Sequence, residues 1–124
     1  MRTRVWKLDR AGALDRLRSW ASGLAEDPNV LAVILFGSLA RGDATAMSDA
    51  DVLVLLEESC LTFTDRLVRY KPTRLGIGVE VFPYTLAEAR RAAGEGWGMV
   101  RPALAEGITL FSRDHRGLAG LLGG

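Results

Sequence analysis

Two seven-residue apolar runs constrain this chain more than any other feature: Val30–Phe36 (VLAVILF) and Ala50–Leu56 (ADVLVLL). Each is too short for a stable helix of its own and is rich in branched side chains. The reading is two strands buried within a sheet. The first ends at Gly37, and the second is entered through Ser48-Asp49. Around them the pattern alternates. Residues 8–25 carry Leu8, Ala11, Leu14, Leu17, Ala21 and Leu24 at helical steps, with Asp9 as N-cap and Pro28-Asn29 as the stop. Residues 62–71 read as a short helix with Phe63, Leu67 and Tyr70. Ile77–Tyr84 reads as a third strand. Residues 85–93 read as a helix whose Thr85 and Glu88 have capping-box spacing. A helix resumes over 99–106, Ile108–Phe111 forms a last short strand, and one weak helix follows from Asp114. This order predicts an α/β or α+β sandwich. At 124 residues, with no repeat and no linker, residues 1–124 are read as one domain.

Composition narrows the function. A formal net charge of +1 and the absence of a basic stripe argue against long nucleic acid as the partner. No apolar run approaches the roughly 20 residues that span a bilayer, and MRTRVWKLDR is not a signal peptide, so no membrane role is expected. Cys60 is the only cysteine. It is read as a small buried or edge hydrophobe in a reduced, cytoplasmic protein.

The chemical signal lies in residues 37–54, GSLARGDATAMSDADVLV. Gly37 follows a buried strand directly and permits positive φ and close backbone approach. Ser38 offers a hydroxyl and an N–H to an anion at the mouth of the sheet. Asp49 and Asp51 stand two apart at a strand start, so both carboxylates point to one face. At about 4 Å and an effective dielectric near 20 their repulsion costs about 4 kcal/mol. A divalent cation would remove that cost, and so would protonation of one carboxylate. Glu80 interrupts the otherwise apolar IGVEVFPY. Unless it is an edge-strand side chain turned to solvent, such a charge requires a partner. Beside Asp49 and Asp51 it would complete a three-carboxylate site next to an anion turn, the layout of metal-assisted phosphoryl or nucleotidyl transfer.

Gly37-Ser38, ten intervening residues and Asp49-Ala50-Asp51, with ARGDA after the Gly-Ser and an apolar strand on either side, resemble the signature of the minimal nucleotidyltransferases of the DNA polymerase β superfamily. The resemblance runs from the first strand to about Phe111. It implies a small mixed sheet with helices packed mainly on one face. It implies that Gly37 and Ser38 contact the phosphates of ATP or another NTP, and that Asp49 and Asp51 hold two Mg²⁺ ions. Glu80 would be the third acid, which helps hold metal and activates the acceptor hydroxyl. That acid is more commonly Asp, and the extra methylene carries the carboxylate outward by about one bond length. Arg41 is read either as a phosphate contact or as a turn residue paired with Asp43.

The small size resembles the members paired with helical HEPN proteins as antitoxins, some of which adenylylate their toxin. The resemblance thus implies a Mg²⁺-dependent adenylyltransferase acting on a HEPN-type partner. A binding subunit without turnover, and a small-molecule transferase with its acceptor pocket formed in an oligomer, remain as alternatives. Gly94, Gly96 and Gly98 lack the strand and helix of a phosphate loop and are read as a flexible break. Trp97 within it would cover a base or meet a partner, and His115 is read as a surface residue.

Overall fold

The computed structural model describes residues 9–45 and 48–123. Leu8 and Ala46, included in the sequence reading, lie outside them. The elements in chain order are α1 (Arg10–Leu24), β1 (Val30–Phe36), α2 (Ser38–Arg41), β2 (Ala50–Leu56), α3 (Phe63–Tyr70), β3 (Val79–Thr85), α4 (Leu86–Glu95), α5 (Val100–Glu106), β4 (Ile108–Ser112) and α6 (Gly117–Gly123). A 3-10 turn at Arg113–His115 joins the last two. The four strands form one mixed sheet in the order β3-β2-β1-β4. β1 runs antiparallel to both β2 and β4, and β2 runs parallel to β3.

The apolar character of β1 and β2 on both faces dictates the layers. Val30, Val33 and Leu35 with Val52, Val54 and Leu56 face α1 through Ala13, Leu17 and Ala21, and Tyr70 of α3 joins them. Ala32, Ile34 and Phe36 with Leu53 and Leu55 face Ala89 and Ala92 of α4, Val100 and Ala103 of α5, and Leu118 and Leu121 of α6. The mixed sheet is as expected. Its helices, however, are shared between the two faces, where the resemblance implied cover mainly on one. Central strands that are apolar on alternate as well as successive positions need both sides covered.

Local chemistry sets the helix ends. Asp9 caps α1 by accepting from the Gly12 N–H at 3.1 Å. Thr85 and Glu88 close a reciprocal capping box at α4. The glycine-rich break is an exposed turn that touches Tyr84. Gly96 ends α4 in the left-handed region, Gly98 has φ 66°, and the Met99 N–H donates to the Tyr84 hydroxyl at 3.2 Å. Trp97 lies edge-on to Tyr84, with ring centroids 6.2 Å apart. Cys60 is exposed, not buried, because its segment leaves the sheet after Leu56.

One buried cation anchors the β3–α4 corner. Arg66 of α3 is 6% exposed. It donates to the Pro83 carbonyl at 3.1 Å and to both Glu88 carboxylate oxygens at 2.7 and 3.1 Å. α3 is thereby fixed along β3, the strand that carries Glu80. The Arg66 hydrogen bonds, joined by those from Thr85, hold the Glu88 carboxyl below its ordinary value against the opposing effect of burial. A depressed carboxylate contributes stability that is present above the unfolded value and lost as pH falls through the folded one. Glu88→Ala strands the Arg66 guanidinium, so we expect a loss of about 3 kcal/mol in urea unfolding at neutral pH. Glu88→Gln should lose less stability than wild type on acidification; equal losses would remove the carboxylate from the account.

Candidate active site

All four strands deliver residues to one end of the sheet. β1 finishes there at Gly37; β2, β3 and β4 begin there. Asp51 is the register partner of Phe36 on β1 and of Glu80 on β3. The row Phe36, Asp51, Glu80 crosses three strands on the face that carries α4–α6. Asp49 enters the same end just before β2, where the Ala50 N–H donates to the Gly78 carbonyl at 2.8 Å. Phe36 and Phe82 stand on this face with ring centroids 5.6 Å apart.

The carboxylates are placed by glycines as well as by register. Gly37 has φ 78°, and a Cβ there would overlap the Asp51 carboxylate. A Cβ on Gly78 would overlap the Asp49 carboxylate. Each acid lies against bare backbone, with no side chain between. Gly78 escaped the sequence reading, although a glycine two residues ahead of Glu80 is a visible signal.

Asp51 is half-buried, Asp49 and Glu80 are exposed. Burial first, then the charges of Glu80 and Asp49, push the Asp51 carboxyl above its ordinary value; Arg41 opposes them and Glu106 adds to them. Glu80 is both things weighed from sequence. It is exposed on the edge strand β3, and it is the register neighbour of Asp51. An open cleft of about 450 Å³ runs past it, lined by Asp49, Glu80, Phe63, Leu67, Lys71 and Phe82.

Ser38 opens α2, a single helical turn. α1 steadies that turn: Arg10 Nε donates to the Leu39 carbonyl at 3.0 Å and Nη2 to the Ala40 carbonyl at 3.1 Å. Arg41 pairs with Asp43 through Nε at 3.2 Å, as one sequence reading had it. It pairs also with Glu106 through Nη1 at 2.8 Å. The same Glu106 oxygen accepts the Gly37 N–H at 2.7 Å. Glu106 lies 69 residues from Gly37, and nothing in its local sequence marks it. Ser48 serves as a turn residue, its hydroxyl accepting the Thr45 N–H at 3.0 Å. His115 is exposed.

The donor set suits a hard divalent cation. It consists of carboxylate oxygens, and a bound cation would offset both the burial and the neighbouring charges that raise Asp51. Among the described residues no three acidic, His or Cys side chains close on one point.

This strain is measurable without any substrate. Because the folded Asp51 carboxyl is raised, the folded chain keeps a proton that the unfolded chain has already lost. Stability therefore falls as pH rises from the unfolded value through the folded one. Metal-free Asp51→Asn should melt a few degrees above wild type at neutral pH and level with it below the ordinary aspartate range. A melting point unchanged or lowered at neutral pH would show that burial and neighbouring charge do not strain the ionised Asp51.

No described helix is long and apolar enough to cross a membrane. No curated protein sequence matches the chain significantly. The fold is shared with solved structures. One is a Sulfolobus solfataricus protein assigned as a nucleotidyltransferase, at TM-score 0.61 and 21% identity, with 86% of each chain covered. Another is a toxin–antitoxin structure with AMP-PNP, at TM-score 0.51 and 18% identity, covering 93% of this chain and 84% of that one. The family model for the nucleotidyltransferase domain matches residues 17–82, from α1 through the strand bearing Glu80. This chain belongs to the nucleotidyltransferase domain family.

Proposed function

We propose that the chain is a Mg²⁺-dependent adenylyltransferase, moving AMP from ATP to a hydroxyl on a partner protein as the antitoxin of a toxin–antitoxin pair. The observation that carries the reading is the row of Asp51 and Glu80 in ladder register, with Asp49 beside them and the Gly37-Ser38 turn at the same sheet end. Asp49, Asp51 and Glu80 would hold the metal, and Gly37, Ser38 and Arg41 would contact the triphosphate. Two Mg²⁺ ions, when bound, supply Lewis-acid charge at the reacting phosphate. The acceptor oxygen attacks the α-phosphorus, the bond to the bridging oxygen breaks, and pyrophosphate leaves. Glu80, exposed at the cleft, would take the acceptor's proton. The side chains otherwise position the reactants, and positioning accounts for much of the acceleration in such reactions.

A protein acceptor is supported by the surface next to the cleft. Phe63 and Trp97 are 41% and 38% exposed and both pack against Tyr84. Phe63 lines the cleft with Glu80, and exposed aromatics suit a docked protein better than bulk water. The neighbour solved as a toxin–antitoxin with AMP-PNP supports the antitoxin role and ATP as the nucleotide. A helical HEPN-type toxin is the partner we infer from the resemblance of this small chain to the HEPN-paired members of the family. The second reading is a partner-binding subunit without turnover. It is favoured by Glu80, which stands where the family more commonly carries Asp.

The product of the adjacent gene, incubated with labelled ATP and Mg²⁺, should take up label. Asp49→Ala should lower the rate at least about 100-fold, since metal charge supplies several kcal/mol. A tight complex with no label transfer, indifferent to Asp49→Ala, establishes the second reading instead. Gly78→Ala should also cut transfer with little change in melting point. The Asp49 carboxylate can turn away from the new methyl at small energetic cost but leaves its place in the site. Full activity in Gly78→Ala would show that this close approach is immaterial.

A further inference from the structure

Glu106 occupies the donors that a phosphate would use. A single oxygen, Oε2, accepts from the Gly37 N–H at 2.7 Å and from Arg41 Nη1 at 2.8 Å. Both lengths are those of charge-assisted bonds. Little else favours a carboxylate here. Glu106 is the last residue of α5, where the helix carbonyls disfavour negative charge. It also adds to the repulsion that raises Asp51. Its hold on the site is therefore the Gly37–Arg41 pair, and the Glu106 side chain is 26% exposed, on the edge of solvent.

We propose that Glu106 is an internal competitor for the nucleotide, a carboxylate that fills the phosphate cradle and must leave it before a triphosphate can seat. The inference rests on the nucleotide reading above. The backbone fixes how the exchange occurs. The Gly107 N–H donates to the Ala103 carbonyl at 2.9 Å, and a Cβ on Gly107 would overlap that oxygen and the Ile34 side chain. The end of α5 is thus seated directly on β1, the strand that leads into Gly37. Release is a rotation of the Glu106 side chain into solvent, with α5 in place. Two donors then pass from one anion to another, so the cradle is satisfied in both states. Nucleotide affinity is set by the difference between the two anions. A partner protein that engaged the freed Glu106 carboxylate would tighten nucleotide binding by the same exchange.

Calorimetric titration of the full chain with α,β-methylene-ATP and Mg²⁺ tests this, because that analogue cannot be cleaved at the reacting bond. Glu106→Gln and Glu106→Ala should each bind it about tenfold tighter than wild type, the scale of one displaced charge-assisted bond. In the wild type the Gly37 amide resonance should move on titration, toward its position in Glu106→Gln. Equal or weaker binding by both variants, or a Gly37 amide that ignores the nucleotide, overturns the competition. Binding that Glu106 substitutions fail to tighten defeats this inference alone. No binding by wild type or by either variant defeats the nucleotide reading together with it.

Discussion

The ladder register that sets Phe36, Asp51 and Glu80 in one row governs everything else at this end of the molecule. Strand side chains alternate, so a slip of one residue between β2 and β3 would send Glu80 to the opposite face from Asp51. It would also turn the Glu80 carboxylate toward the face where Val52, Val54 and Tyr70 are buried, at several kcal/mol. The hydrophobic pattern therefore enforces the chemical one. Leu53 and Leu55 hold β2 in phase on one side, Val52 and Val54 on the other. Asp51 falls at the first position beyond that double-sided core where a charge can reach water.

The register also explains why the site is electrostatically tense. Asp51 is half-buried beside two carboxylates on neighbouring positions, with a third approaching from α5 and Arg41 as the counterweight. Arg41 is itself shared between Asp43 and Glu106. A surface designed for stability alone would place apolar or neutral groups here. Acids held together by a rigid ladder are the usual mark of a site that works by binding positive charge. The cost is localised. The sheet beneath it is fully buried over most of β1 and β2, and the Arg66–Glu88 clamp holds the flanking helix by bonds remote from the acids.

The sheet was legible in the sequence because its signals are local. β1 and β2 match the apolar runs to the residue, since glycine and polar residues bound them sharply. The Asp9 cap and the Thr85–Glu88 box rest on three-residue spacings. Gly37-Ser38 and Asp49-x-Asp51 could be found because their spacing is itself the motif. What escaped depends on pairing across long chain separations. The partners Arg66 and Glu88 lie 22 residues apart, and Glu106 meets Gly37 across 69. The split of helices between two faces follows from which side each connection crosses, and hydrophobic spacing within a helix does not record that. The exposure of Cys60 is a matter of where a loop leaves the sheet.

The position of Glu80 on an edge strand bears on how a longer acid would serve the proposed transfer. β3 has a neighbour on one side only, and α3 lies along its length, tied through Arg66 to Pro83. In the proposed reaction the acid at this position would reach back toward Asp49 and Asp51 from the rim while facing the open cleft. An aspartate, shorter by about one bond length, would stay close to its own backbone. A glutamate can meet a metal held by the β2 acids and still turn toward an incoming hydroxyl. Its greater side-chain freedom opposes ordering by up to about 1 kcal/mol, a penalty a bound divalent charge can offset. On this geometry the added methylene extends the reach of the third acid without altering its face, because the face is fixed by the ladder.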